Sequence, residues 1–295
     1  MTGTNQFPER ASFYWAFSSK KQTRLRAVRD DRRSEDNQAC RVSVVIPALN
    51  EAANLPHVLP FIPIWVDEVL LVDGYSTDQT VEVARSLLPD IRIVQQEGRG
   101  KGAALRSGFK AAASDIIIML DADGSTDPGE IPAFVSALLA GADFAKGSRF
   151  AQGGGTADMP WYRRLGNWCF VMLVRLLFGG VYSDLCYGYN AFWADVLPVL
   201  KLDADGFEIE TTMNVRALRA GLKVVEVPSF EDKRIYGEGR LKTIPDGWRV
   251  LKAIFHERLT LPKPVARRVF VDTRAERINA LGSEGVNSPQ TAEIG

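Results

Sequence analysis

Two aspartates one residue apart, Asp121 and Asp123, follow directly on the apolar run Ile116-Ile117-Ile118-Met119-Leu120. A continuous apolar run bounded by polar residues is the pattern of a strand buried on both faces. Carboxylates at the carboxyl end of such a strand stand where open α/β sheets collect their ligands. If extended geometry continues through Asp123, both side chains point the same way. Like charges converging on one spot call for a cation or a proton between them. Oxygen-only ligands suit Mg²⁺ or Mn²⁺, and Mg²⁺ is typically held by one or two carboxylates together with substrate phosphates. A structural reading is also open: the pair caps the helix that begins near Pro128.

The elements that must position this pair form an alternating series. Val42 to Pro47 reads as a buried strand, followed by Ala48-Leu49-Asn50-Glu51 and a helix-like stretch. Glu68 to Asp73 is the next strand, and Gly74 to Asp78 its turn, with Thr77 or Asp78 capping a helix through Leu88. Ile91 to Val94 is a third strand, and Gly98-Arg99-Gly100-Lys101-Gly102 opens a helix with Leu105, Gly108, Phe109 and Ala112 at helical spacing. Strands alternating with helices through short loops predict an α/β fold, a mostly parallel sheet flanked by helices. Asn50, Glu51, Asp73, Asp121 and Asp123 then share one sheet edge, because right-handed crossovers bring successive strand ends together. The glycine cluster fits neither G-x-G-x-x-G in a first βα turn nor G-x-x-x-x-G-K-[ST], which disfavours nicotinamide chemistry and P-loop hydrolysis.

Past Phe150 the pattern changes. Gly153 to Gly155 form a flexible loop, and Met159 to Phe178 a helix carrying Trp161, Tyr162, Trp168 and Phe170 with Arg163, Arg164 and Arg175. Such a helix packs in a core or lies at a bilayer surface. Ile209, Met213, Ala217 and Ala220 mark the buried face of a helix ending at Gly221. Lys223 to Val227 read as a strand, Lys233 to Lys242 as a basic loop, and Ile244 to Leu259 as a last amphipathic helix.

Composition narrows the class. The 295 residues are 46% hydrophobic and 24% charged, enough for a sizeable core, and 36 basic residues balance 36 acidic ones, so no overall field favours nucleic acid. Three cysteines without metal spacing suit a reducing cytoplasm, and two histidines make a multi-histidine metal site improbable. Met1 to Asn37 lacks the apolar core of a signal peptide, and Trp168 to Gly180, interrupted by Arg175, is too short to span a bilayer. Residues 1–40 are basic with the aromatic knot Phe13 to Phe17 and read as a flexible extension or a contact for anionic lipid; residues 263–295 read as a disordered tail.

In order along the chain, Val44-Val45-Ile46-Pro47-Ala48-Leu49-Asn50-Glu51, Val72-Asp73-Gly74-Tyr75-Ser76-Thr77-Asp78, Asp121-Ala122-Asp123, Gly147-Ser148-Arg149-Phe150, Arg163-Arg164-Leu165-Gly166-Asn167, Asp184 to Tyr189, Gly206-Phe207-Glu208 and the Arg234 to Leu241 loop resemble family 2 glycosyltransferases of the GT-A fold. The similarity is strongest to bacterial relatives of dolichol- and polyprenyl-phosphate mannose or glucose synthases. It implies a Rossmann-like single catalytic domain over residues 41–262, with a nucleotide-sugar half, 41–150, and an acceptor half, 151–262. It also implies that Pro47, Asn50, Glu51, Asp73 and Lys101 face the nucleotide of a GDP-mannose or UDP-glucose type donor. Asp121 and Asp123 would hold Mg²⁺ or Mn²⁺ on the diphosphate. Arg149, Arg163, Arg164, Asn167 and Arg234 would receive a polyprenyl phosphate, at the inner face of the membrane. The chain departs from the pattern at Ser125, where relatives carry Gln, at Leu49, where they carry Tyr, and at Gly239-Arg240-Leu241.

A phosphate acceptor is anionic at neutral pH and needs no strong base, so catalysis would rest on positioning, the metal and the arginines. Transfer to a hydroxyl of a sugar, peptide or small metabolite would need one, with Asp184 the leading candidate and Glu208 behind it. A non-catalytic nucleotide-sugar-binding scaffold at the membrane is the reading from another class, and retention of both D-x-D aspartates argues against it.

Overall fold

The computed structural model describes residues 40–180 and 182–260. The aromatic knot, the rest of the 1–39 stretch and the 263–295 tail lie outside these residues. Four strands, β1 (Val42–Ala48), β2 (Glu68–Asp73), β3 (Arg92–Gln95) and β4 (Ile116–Met119), come first, with α1 (Thr80–Leu87) and α2 (Lys101–Ala111) between them. All pair in parallel, β1 lying between β2 and β4. Val44, Val45 and Ile46 are completely buried, as a strand hydrogen-bonded on both edges and covered on both faces requires. The expected helix after β1 is instead two 3₁₀ turns, Leu55–His57 and Leu59–Phe61. Pro56, Pro60 and Pro63 interrupt the N–H series that a continuous helix would need.

The second part contains α3 (Ile131–Leu139), β5 (Phe144–Ser148), the two-residue β6 (Gly155–Thr156), α4 (Trp161–Phe178), β7 (Asn190–Trp193), a single turn α5 (Leu197–Leu200), α6 (Ile209–Arg219), β8 (Val224–Pro228), β9 (Phe230–Glu231) and α7 (Thr243–Thr260). The main sheet has seven strands in the order β3-β2-β1-β4-β7-β5-β8, and β6 pairs with β9 beside it. Only β7 runs against its neighbours. It was not legible as a strand in the Tyr182 to Phe192 stretch. Its register sets Asn190 opposite both Met119 and Lys146, which brings Tyr187-Gly188-Tyr189 to the rim where β4 and β5 end.

Two apolar cores hold this frame. The larger lines both faces of the sheet, with Phe134, Phe144, Phe192 and Tyr189 among its largest side chains. The smaller joins Val171 and Val174 of α4, Val215 of α6, Val250 and Ile254 of α7, and Tyr182 and Leu185. Asn167, Val171 and Val174 recur at helical spacing on α4, so one stripe is buried. Trp161, Leu165 and Trp168 stay exposed, as do Ile244, Trp248, Phe255 and Leu259 on α7.

Candidate active site

A cleft of about 1270 Å³ follows the carboxyl rim of the sheet. At one end it is walled by Pro47, Ala48, Gly74, Tyr75 and Gln96, and its floor carries Lys101, Asp121 and Asp123. At the other end it runs between α4 and α7, past Tyr162, Arg163, Phe170, Gly247 and Val250.

The first two turns are tied together by Asn50. Its backbone takes φ 54, a left-handed conformation that asparagine tolerates better than most residues. Its Oδ1 accepts from Thr77 N at 2.7 Å, and its own N–H donates to Ser76 Oγ at 2.9 Å. Asp73 is buried at the end of β2 and accepts from Ser76 N at 3.2 Å. Asn50 and Asp73, two of the five residues expected to face the nucleotide, therefore brace the turns; the side chains that line the cleft here include those of Pro47, Leu49, Tyr75 and Gln96. Gln96 donates to Gly98 O and Gly100 O, shaping the glycine loop. Glu51 faces the cleft, where its carboxylate takes Arg234 Nη2 at 2.5 and 2.6 Å and Asn54 Nδ2 at 2.6 Å.

Extended backbone does not reach Asp123. β4 ends at Met119, Leu120 N still donates to Val45 O at 3.1 Å, and Ala122-Asp123 turn ahead of Gly124 at φ 79. The cap at Pro128 is supplied by Asp127, whose Oδ1 accepts from Gly129 N, so neither D-x-D aspartate serves as a helix cap. Each aspartate instead shares a cation with a second carboxylate. Lys101 Nζ lies 2.7 Å from Asp121 and 2.9 Å from Glu210. Arg234 lies 3.2 Å from Asp123 and 2.5 Å from Glu51. Burial works against the Lys101 charge, but Asp121 and Glu210 outweigh it and hold the ammonium above the ordinary lysine value. Burial pushes the Glu210 carboxyl up, with Lys101 opposing.

The donor set fits a hard divalent ion. Asp121 and Asp123 keep 26% and 23% of their side chains exposed, and their oxygens are the atom type such an ion takes. Gly188 leaves room beside them, since a Cβ there would come within 3.0 Å of Asp121 Oδ2. Among the described residues no group of three or more His, Cys, Asp or Glu side chains is arranged to hold a metal, so an ion here would complete its shell with ligand oxygens and water.

The acceptor-side expectations divide. Arg149 is nearly buried. Its Nε and Nη2 bind Asp184 at 2.7 and 2.9 Å, and its Nη1 binds Glu231 at 3.0 Å, with the guanidinium stacked on Tyr187. Arg149, Tyr187 and Glu231 line the cleft, but the arginine fork is already engaged by protein carboxylates. Asp184 is fully buried; burial opposes its charge, but Arg149, with Lys146 behind it, holds its carboxyl below the usual range. A fully buried carboxylate paired with an arginine and held below its usual range is poorly placed to take a proton from an acceptor hydroxyl, the role expected of Asp184 for such an acceptor. Glu208 accepts from Gly206 N at 3.0 Å with Oε1. Arg163 lines the cleft on two long contacts, 3.2 Å to Thr243 Oγ1 and 3.3 Å to Leu241 O. Arg164 is exposed and sits over the Phe150 ring. Asn167 lines the cleft, but its Oδ1 already accepts from Leu185 N and Cys186 N, so it braces the loop after Asp184.

Glu210, Tyr187 and Glu231 escaped the sequence reading. Glu210 precedes Met213 and Ala217 by three and seven positions, a carboxylate on a buried helix face, and that was a usable signal. Tyr187 lies in the Asp184 to Tyr189 motif, which gave it a place but no role, and Glu231 had no signal because the two-residue β9 shows no pattern in the sequence. The profile of Glycosyl transferase family 2 matches residues 43–197. The chain is 32% identical over 213 residues to the undecaprenyl-phosphate mannosyltransferase of Micrococcus luteus, covering 68% of this chain and 87% of that protein. It is 31% identical over 233 residues to the polyprenol monophosphomannose synthase of Mycolicibacterium smegmatis, covering 73% and 84%. Among solved structures, glucosyl-3-phosphoglycerate synthase from Mycobacterium tuberculosis in complex with Mg²⁺ and uridine-diphosphate superposes with a TM-score of 0.60 at 24% identity, over 75% of this chain and 80% of that one, a likeness of fold.

Proposed function

This chain belongs to glycosyl transferase family 2, and on that premise we propose that it transfers a hexose, mannose or glucose, from a nucleotide sugar to the phosphate of a polyprenyl lipid. The observation that carries the reading is the continuity of the cleft. Its carboxylate floor runs without interruption into a furrow between α4 and α7 that offers Arg163 beside Tyr162, Phe170 and Val250. A phosphate head group and a prenyl chain need that sequence of charge and apolar surface. The mannosyltransferase relatives that act on polyprenyl phosphates support the same acceptor.

In this reading the nucleotide lies along the Pro47, Tyr75 and Gln96 end. Asp121 and Asp123 would hold Mg²⁺ or Mn²⁺, which would supply positive charge to the leaving diphosphate. The acceptor phosphate oxygen attacks the anomeric carbon from the opposite face, the bond to the diphosphate breaks, and configuration inverts. Arg163 orients the acceptor phosphate, and the Arg149–Asp184–Glu231 group holds Tyr187 and the acceptor wall in place. No proton needs to leave the acceptor, which suits a site whose named base candidates are buried or already bonded. The exposed stripes of α4 and α7, with Arg164, Arg249 and Lys252 among them, suit contact with an anionic bilayer surface. Among the described residues no helix is long and apolar enough to cross a membrane.

The test is direct. The full chain is incubated with short polyprenyl phosphates and radiolabelled GDP-mannose or UDP-glucose, with Mg²⁺, Mn²⁺ or EDTA. The expected result is label in an organic-extractable, acid-labile product that EDTA suppresses. Absence of lipid-linked label with both donors and either metal overturns the acceptor assignment.

A further inference from the structure

Both D-x-D aspartates are paired with cations, yet the two cations are held differently. Arg234 belongs to the exposed loop after β9, where the backbone contacts of Ile235 with Asp123 and of Tyr236 with Asn54 are those of a strap laid over the rim. Lys101 is built into the frame. Gly100 and Gly102 allow the Ala204–Asp205 backbone to lie against the start of α2; a Cβ at either glycine would come within 2.3 Å of a carbonyl oxygen there. Gly102 N and Ala103 N donate to Asp205 O at 2.8 and 3.2 Å. Glu210, itself buried, takes Lys101 Nζ at 2.9 Å, and Gly188 closes over the group, since a Cβ there would lie 2.9 Å from Nζ.

We propose that Lys101, anchored by Glu210, is a positioning residue that presets Asp121 and withholds it from a divalent cation until a nucleoside diphosphate arrives with the ion. The inference rests on the reading of Asp121 and Asp123 as the metal–diphosphate contact. Glu51, Asp121, Asp123 and Glu210 are four carboxylates around Lys101 and Arg234, which offers a dication local attraction even though Arg99, Lys233 and Arg240 also line the cleft. A free ion must nevertheless compete with an ammonium 2.7 Å from Asp121 that the surrounding backbone keeps from moving away. Among the described residues no third carboxylate joins the pair in a metal-holding group, so the ion also lacks protein ligands there. The diphosphate brings both oxygens and negative charge, which Lys101 and the ion can share without leaving Asp121. Metal binding thereby becomes conditional on the donor.

The measurement is Mn²⁺ binding to the full chain, read from the electron paramagnetic resonance signal of free Mn²⁺, with and without UDP or GDP. Wild type should bind Mn²⁺ about tenfold more tightly with nucleotide than without it. Lys101→Met should raise nucleotide-free Mn²⁺ affinity by about tenfold, removal of a unit charge at this distance being ample for that, and Lys101→Arg should restore the conditional behaviour. A rise of less than about threefold in Lys101→Met overturns the inference while leaving the metal assignment standing. Should Lys101→Met not fold, as judged by circular dichroism, Glu210→Gln decides: Lys101 then has Asp121 alone, and Mn²⁺ affinity with nucleotide should fall about tenfold, an effect under about threefold overturning the inference. Wild type that binds Mn²⁺ equally well with and without nucleotide also overturns it. Absence of Mn²⁺ binding in both states removes the metal assignment and the inference together.

Discussion

Lys101 and Arg149 are the same device used for opposite ends. Each is a cation clamped between two carboxylates, Asp121 and Glu210 in one case, Asp184 and Glu231 in the other. Around Arg149 the group is closed: Asp184 is fully buried, the guanidinium fork is occupied on three sides, and Tyr187 covers its face. Around Lys101 the group is open, because Asp121 keeps a quarter of its side chain exposed and Asp123 stands beside it on the cleft floor. Although Arg149 and Glu231 border the cleft, a cluster whose charges are already paired with one another has little left to offer a ligand, and its worth is in holding two wall elements in register. An open one has unfilled acceptor capacity facing the solvent, which is what a ligand site needs. Motif resemblance gave Arg149 and the D-x-D equal standing, and only the surroundings separate them.

The comparison predicts different losses from similar substitutions. The largest effect belongs to the open cluster: Asp121→Ala or Asp123→Ala should cut transfer by about a thousandfold, on the order of 4 kcal/mol, with little change in thermal midpoint. Initial rates and a melting curve check it, and a variant that retains a tenth of wild-type rate takes that aspartate out of the chemistry.

In the closed cluster the loss should appear as stability. Arg149→Met leaves Asp184 buried without its partner, a change that costs about 3–5 kcal/mol. Asp184→Asn should destabilise too, and the double variant by less than the sum, because both remove one interaction. Urea unfolding measures all three. An Arg149→Met protein of wild-type stability that has lost acceptor binding would show that the fork serves the ligand after all.

Arg163 should behave as a ligand contact of moderate size. Losing one charge-assisted phosphate contact is worth about 2 kcal/mol, a roughly thirtyfold rise in acceptor KM. Arg163→Ala is expected to show it and Arg164→Ala to show far less, since Arg164 is directed over Phe150. Equal effects of the two variants in acceptor titrations would break the distinction drawn from the cleft lining.

The smallest effect expected on transfer itself, one read in stability and its pH dependence, tests the interior behind Arg149. Lys146 is fully buried, donates to Gly147 O and Tyr187 O, and is pushed down to about 8 by burial. Between pH 8 and the ordinary lysine value of 10.5 the unfolded chain holds a proton that the folded chain has released. Stability therefore rises with pH across that window, by up to about 1.4 kcal/mol per unit. Lys146→Met abolishes this contribution, so the stability difference between wild type and variant should shift in favour of wild type as pH rises. Urea midpoints at several pH values that run parallel for the two proteins would refute it.

Local pattern determined much of this protein. The apolar runs Val42 to Ile46, Val69 to Val72 and Ile116 to Met119 had to be doubly covered strands, and parallel crossovers then had to bring Glu51, Asp73 and the D-x-D aspartates to one rim. The apolar stripes on α4 and α7 were likewise written in helical spacing. Tertiary structure alone decided which charges meet. β7 is short and enters between β4 and β5 because pairing on both sides stabilises it, and no periodicity in Tyr182 to Phe192 announces that. Arg234 reaches Glu51 across 183 positions, and Lys101 reaches Glu210 because the Ala204–Asp205 segment ahead of α6 lies against the start of α2. Strand and helix are set by neighbours within a few residues, which a sequence displays. An ion pair is set by the fold that carries two distant residues into a common low-dielectric space, so its partners, and with them the division between a brace and a binding site, cannot be read until the chain has folded.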